Sequence, residues 1–285
     1  MDLETTARLL IKCRDEAGIV AAVTSFLHHH GANITALDQH TTDPFGGMFF
    51  MRLEFQTPHL IITKDALEDA FGKVVAQRFD MDWTMSYATP PKRAALFVSG
   101  HDHCLMELLW RWTRDELPMD VAAVVSNHPV LKEAVEHFGV PYHYVPLSKE
   151  NKAEAEDAIL DIIKDTDFVV LARYMQILSA DFLGRYGKPV INIHHSFLPA
   201  FVGADPYRQA RERGVKIIGA TAHYVTEELD GGPIIEQDVS RVSHRQDIAQ
   251  LRELGRDIER RVLARAVTWH CQDRVLLHDN KTVVF

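Results

Sequence analysis

The chain has 285 residues, 46% of them apolar and 25% charged, a balance that fits a soluble globular protein of one large or two modest domains. A formal net charge of −9 disfavours a nucleic-acid surface or an anionic membrane as partner. No stretch is long and apolar enough to span a bilayer, no signal-peptide pattern opens the chain, and Cys13, Cys104 and Cys271 offer no disulfide framework, so a cytoplasmic enzyme is expected.

Residues 8–13 alternate as a strand does. Ile19, Val20, Val23, Phe26 and Leu27 then recur at helical spacing, ending at Gly31. Residues 33–41 and 48–55 read as strands joined by a turn at Asp43-Pro44-Phe45-Gly46-Gly47. A helix carrying Leu67, Ala70, Phe71 and Val74 and a strand over 81–87 complete the order βαββαβ, a ferredoxin-like unit. Gly18 either lets a ligand carboxylate approach the helix start or only makes the turn. His28, His29 and His30 have no cysteine or carboxylate at ligand spacing and read as a solvated helix end, so no metal is expected.

Pro90 and Pro91 cannot continue a strand ladder and mark a linker, dividing the chain into domains over 1–88 and 89–285. Beyond it strands (94–99, 121–126, 168–172, 190–194) alternate with helices (104–112, 131–138, 149–164), and 142–145 is extended. Such repeated βα units predict a Rossmann-like, mostly parallel α/β sheet with helices on both faces. Strands over 216–225 and 233–239, a long amphipathic helix over 247–270 and a terminal hairpin near Arg274 and 281–285 follow. No G-x-G-x-x-G follows any strand, which removes an NAD-dependent dehydrogenase.

Chemistry concentrates where core strands end. Asn192 and His194, two apart on one strand, share a face and leave it at its carboxyl end, where open α/β sheets bind ligands. A carboxamide donor beside an imidazole suggests an oxyanion stabiliser and a proton carrier. Thr221 and His223 lie near the end of the next strand, and Asp230 precedes Gly231, Gly232 and Pro233 on a tight turn. After the strand at 168–172, Arg173, Met175, Gln176, Ile177 and Leu178 offer apolar side chains and open backbone groups to a flat heterocycle; the alternative is a helix start that buries them.

The motifs Asn192-Ile193-His194…Ser196-Phe197-Leu198-Pro199, Gly219-Ala220-Thr221-Ala222-His223 and Leu229-Asp230-Gly231-Gly232-Pro233-Ile234-Ile235 resemble those of the folate-dependent formyltransferase family. The resemblance implies that Asn192, His194 and Asp230 are catalytic, with Asp230 as base or proton relay. It also implies that 173–178 hold a pteridine and that Thr221, His223 and Val225 shape that side. Residues 7–88, with Asp15-x-x-Gly18-Ile19 and Gly31-Ala32-Asn33-Ile34, resemble an ACT domain. That likeness implies a homo-oligomer and an amino-acid effector held by Asp15, Gly18, Ile19 and Asn33.

Ser99-Gly100-His101-Asp102-His103 departs from the glycine-rich phosphate cradle of the family's ribonucleotide-binding members. His195 stands where those members typically carry proline. Together with Gly203-Ala204-x-Pro206-Tyr207 and the ACT-like unit, the His194-His195 pair resembles the hydrolytic branch, whose acceptor is water. The expected reaction is hydrolysis of 10-formyltetrahydrofolate to formate and tetrahydrofolate, feeding one-carbon metabolism and purine synthesis. No cofactor beyond the folate substrate is expected. Transfer to a non-phosphorylated amine and a non-catalytic amino-acid sensor are the alternatives.

Overall fold

The computed structural model describes residues 3–43, 45–199 and 206–285. Pro44 of the first hairpin turn and Gly203 and Ala204 of the loop motif lie outside the described residues. Contacts divide the chain into two units. One comprises Met1–Pro91 with Gln272–His278 and Val283–Phe285, the other Lys92–Cys271 with Asp279–Thr282. Among the described residues, no helix is long and apolar enough to cross a membrane.

The first unit runs β1 (Thr6–Arg14), α1 (Ile19–His29), β2 (Asn33–Thr41), β3 (Met48–Gln56), α2 (Lys64–Phe71) and β4 (Asp82–Tyr87). Its sheet is antiparallel in the order β2-β3-β1-β4, as the βαββαβ reading requires. Alternation along β1 and β3 sends Leu9, Ile11, Cys13, Leu53 and Phe55 into a core with Val23, Leu27, Leu67 and Phe71. The other face buries two arginines. Arg8 and Arg52 converge on Glu54, at 3.0 and 2.6 Å. Arg52 also donates to the carbonyls of Gln272 and Asp273, and Arg8 lies 3.4 Å from the Asp273 carboxylate. A buried guanidinium must be paired, and these partners come from the end of the chain. The structure therefore counts Gln272–His278 with the first unit, where the sequence reading gave all of 89–285 to the second.

The second unit continues β5 (Lys92–Val98), α3 (His103–Trp112), β6 (Met119–Ser126), α4 (Lys132–Glu136), β7 (Tyr142–Tyr144), α5 (Lys152–Ile163) and β8 (Phe168–Leu171). Then come α6 (Ala180–Tyr186), β9 (Val190–His194), α7 (Pro206–Glu212), β10 (Ile217–Tyr224), β11 (Ile234–Arg241) and α8 (Ile248–Cys271), after which β12 (Val275–His278), counted with the first unit, and β13 (Lys281–Val284) follow in the chain. Seven strands form one sheet in the order β11-β10-β9-β8-β5-β6-β7. It is parallel from β9 to β7 and antiparallel where β10 and β11 join. The mostly parallel α/β expectation is met. Helices α6 and α7, at seven residues each, are too short to show a periodic stripe and were not among the expected elements.

Two devices hold the segment between β8 and α6 open. At one end the Arg173 carbonyl accepts from Ser99 N–H at 3.1 Å, while the Ser99 hydroxyl accepts from Met175 N–H at 2.9 Å. At the other, Ser179 caps α6 by accepting from Phe182 N–H and donates its own hydroxyl to buried Glu156. Between these anchors the backbone turns through Arg173 at φ 68° instead of starting a helix.

Candidate active site

Register builds the centre of the site. In the antiparallel β9–β10 pair, His223 lies opposite Asn192, so both side chains share one face. Asn192 Nδ2 and His223 Nε2 are 3.2 Å apart. The carbonyl of Tyr224 accepts from His223 Nδ1 at 2.9 Å, which fixes the ring. Asp230 arrives from the β10–β11 turn with φ 54°, the left-handed conformation that aspartate tolerates better than most residues. The turn is tight: a Cβ on Gly232 would lie 1.8 Å from the Tyr224 carbonyl oxygen.

Asp230 Oδ2 lies 3.3 Å from His194 Nδ1, and Oδ1 lies 3.6 Å from His223 Nε2. The two rings, His194 first, outweigh burial and hold the Asp230 carboxyl far below the usual carboxylate range. It is charged at every physiological pH. The other His194 nitrogen, Nε2, is buried and has no hydrogen-bond partner among the described residues.

These groups open onto a cavity of about 460 Å³. Arg173, Met175, Gln176, Ile177 and Leu178 form one wall, and Val225 with the 226–229 turn forms another. Met175, Ile177 and Leu229 are 53%, 63% and 64% exposed, an apolar rim with nothing of the second unit's core upon it. The cavity thus gathers Asn192, His194, Asp230, His223, Val225 and the 173–178 segment. It does not include Thr221. That residue is fully buried: its hydroxyl donates to the Ser196 carbonyl and accepts from Leu198 N–H and Gln237 Nε2. Thr221 braces the chain leaving β9 and has no hydroxyl left for a ligand.

Behind the cavity lies a carboxylate that the sequence reading did not single out. Glu259 of α8 is 1% exposed, with His103 Nε2 and the Tyr207 hydroxyl each at 2.8 Å and Arg173 Nε at 3.5 Å. Burial raises its pKa, but His103, Arg173 and Tyr207 prevail, and it titrates below the usual range. The helix has glycine at 255, where a Cβ would fall 1.9 Å from the Tyr207 hydroxyl. One cue was present: Glu259 interrupts the apolar stripe of Leu251, Ile258, Val262 and Leu263. His103, Cys104 and Glu259 are the described residues spaced to hold a metal ion. The nearby Arg173 guanidinium and a Cys104 thiol pushed well up by burial make that donor set a poor one for a cation.

In the first unit, Asp15, Gly18 and Ile19 line a separate cavity of about 620 Å³ with Gln39, His40 and Thr41. Gly18 has φ 98°, and Thr41 donates to Asp15 at 2.9 Å. Asn33 is not part of it. It starts the strand that Thr41 ends, opposite Gln56, and at about 3.3 Å per residue it lies far along β2.

An ACT-type unit joined to a doubly covered α/β sheet, with a carboxamide, two imidazoles and a carboxylate at a strand-end cavity, defines a class of acyl-processing enzyme. Residues 92–267 match the family described as formyl transferase, and residues 7–71 match the ACT domain. "Formyltetrahydrofolate deformylase" of Bacillus subtilis is 52% identical over 99% of this chain and 94% of its own. Its namesake in Mycobacterium bovis is 55% identical over 98% and 90%. The crystal structure of a formyltetrahydrofolate deformylase from Pseudomonas syringae superposes with a TM-score of 0.94 at 51% identity, covering 98% of this chain and 94% of that one. The chain belongs to the formyltetrahydrofolate deformylase family of formyl transferase folds.

Proposed function

We propose that the chain hydrolyses 10-formyltetrahydrofolate to formate and tetrahydrofolate, using Asn192, His194 and Asp230. The observation that carries this reading is His194: one ring nitrogen faces a carboxylate and the other faces no protein partner, beside the Asn192 amide. The named relatives, similar along nearly the whole chain, supply the substrate class.

The pterin lies against Met175, Ile177 and Leu229, with main-chain groups of 173–178 reading its edge. Water attacks the formyl carbon, forming a C–O bond while a proton passes to His194 Nε2. The Asn192 amide donates to the resulting oxyanion, a contact worth roughly 3–4 kcal/mol when well placed. Collapse breaks the C–N bond as the imidazolium returns its proton to the leaving nitrogen, and the remaining acid proton goes to solvent. Asp230 orients His194 and stabilises the imidazolium; with its carboxyl held so low, it is too weak a base to take the proton itself. These steps need no metal.

The test is formate release from 10-formyltetrahydrofolate with no acceptor present, expected at full rate. Glycinamide ribonucleotide, a phosphorylated amine, is expected neither to accept the formyl group nor to compete. Asp102 stands at the start of α3, where a phosphate would need a glycine-rich cradle. Efficient transfer to that amine would make the chain a transferase.

The first unit supports a regulatory role beside this one. A small amino acid placed in the Gly18 cavity would set its carboxylate at the free N–H groups of α1 and its ammonium near Asp15. It can change the rate only by favouring one state of the protein, with coupling of about 1–3 kcal/mol, or about 5- to 150-fold. Titration with the common amino acids should shift both the melting temperature and formate release for at least one of them. No shift in either removes the effector.

A further inference from the structure

His195 follows β9 and lines the catalytic cavity half-buried. Its ring centroid lies 5.1 Å from that of His194 and 6.3 Å from that of Tyr207. Tyr207 is in turn held by Glu259, so the His195 ring is braced by packing. Its polarity is left unused: no hydrogen bond to the ring occurs among the described residues, whereas His194 and His223 each commit a nitrogen to a protein partner. Burial, with the Arg173 charge nearby, pushes its pKa down to about 4. At neutral pH it is an uncharged imidazole, which always presents one N–H and one lone pair.

We propose that His195 seats the attacking water, accepting a hydrogen bond from one of its hydrogens while the other hydrogen faces His194 Nε2. This role rests on the hydrolytic reading above. A water held by two rings has an oxygen lone pair left to aim at the formyl carbon, the near-attack arrangement that removes much of the entropic cost of a bimolecular step. The proton that leaves the water goes to His194, and the one bonded to His195 stays on the new formic acid until solvent takes it. Hydrolysis needs such a seat because water, unlike an amine substrate, brings no body of its own to be gripped.

The experiment compares His195→Phe, which fills the space without an acceptor, with His195→Gln, which keeps one. Formate release, KM, folate affinity and the melting temperature are measured for each. The wild type is expected to release formate, and His195→Phe to lose about 10²-fold in kcat with KM within threefold. His195→Gln should recover at least tenfold over His195→Phe, and imidazole added to His195→Ala should restore part of the lost rate. A kcat within threefold of wild type in His195→Phe overturns the proposal. So does a His195→Gln variant no faster than His195→Phe with no rescue by imidazole. A loss carried wholly by KM does the same. If the wild type releases no formate, the hydrolytic reading falls, a result separable from one in which only the variants contradict the role of His195.

Discussion

Replacing Asp230 by asparagine should leave folate affinity close to wild type and cut formate release by roughly three to four orders of magnitude. The carboxamide fills the same volume but presents no charge to His194 Nδ1 at 3.3 Å. It therefore neither fixes the tautomer that leaves Nε2 a lone pair nor stabilises the imidazolium formed during attack, the loss expected when the carboxylate of such a pair is neutralised. Its size follows from two failures at one atom: fewer molecules hold the right tautomer, and those that do form a less stable cation. Formate release and equilibrium folate binding, measured on the same preparation, decide the matter. Turnover within tenfold of wild type would remove Asp230 from the reaction. The same carboxylate adds stability that is full above the ordinary aspartate pKa near 4 and is lost as pH falls below it, because its folded-state pKa is depressed. The asparagine variant should therefore show a shallower loss of stability on acidification.

Glu259→Ala should cost about 3–5 kcal/mol, because removing one member of a buried ionic cluster strands the others. Arg173 would keep a side chain only 10% exposed with no carboxylate beside it, and the Tyr207 hydroxyl and His103 ring would each lose an acceptor. Glu259→Gln keeps an acceptor for Tyr207 but not the charge for Arg173, and should lose less. Urea unfolding followed through the second unit measures both. A loss under about 1 kcal/mol for the alanine variant would mean that Arg173 and His103 find partners elsewhere. Because Arg173 lines the cavity, folate affinity should fall with stability in this variant, in contrast to Asp230→Asn.

The alternation of strands and helices was legible because each βα unit changes period in sequence, and Asn192, His194 and Asp230 stood out because polar residues ended apolar runs. Position along a strand was harder. Asn33 and Gly18 lie 15 residues apart, yet the strand between them carries Asn33 away, and Thr41, at its other end, meets Asp15. Thr221 shares the site's face by register, but a hydroxyl satisfied by Ser196 and Leu198 is spent on structure, a fact carried by no local pattern. Glu259 was hidden for the opposite reason. Its partners come from positions 156 and 52 residues earlier in the chain, so only the broken stripe of α8 hinted at it.

The acceptors that Arg52 draws from Gln272 and Asp273 bear on how the protein is made. A ribosome delivers the first unit's four strands together with Glu54, but Gln272 and Asp273, which add carbonyl acceptors to Arg52 and a further carboxylate to Arg8, emerge only after all of Lys92–Cys271 has been translated. At about 5–20 residues per second that interval is roughly 10–40 s. During it the nascent sheet carries Arg8 and Arg52 beside Glu54 but without Gln272 and Asp273. The first unit is thus completed only after the second has been made. A nascent chain stalled before residue 272 should display an ACT unit more open to proteases than the released protein.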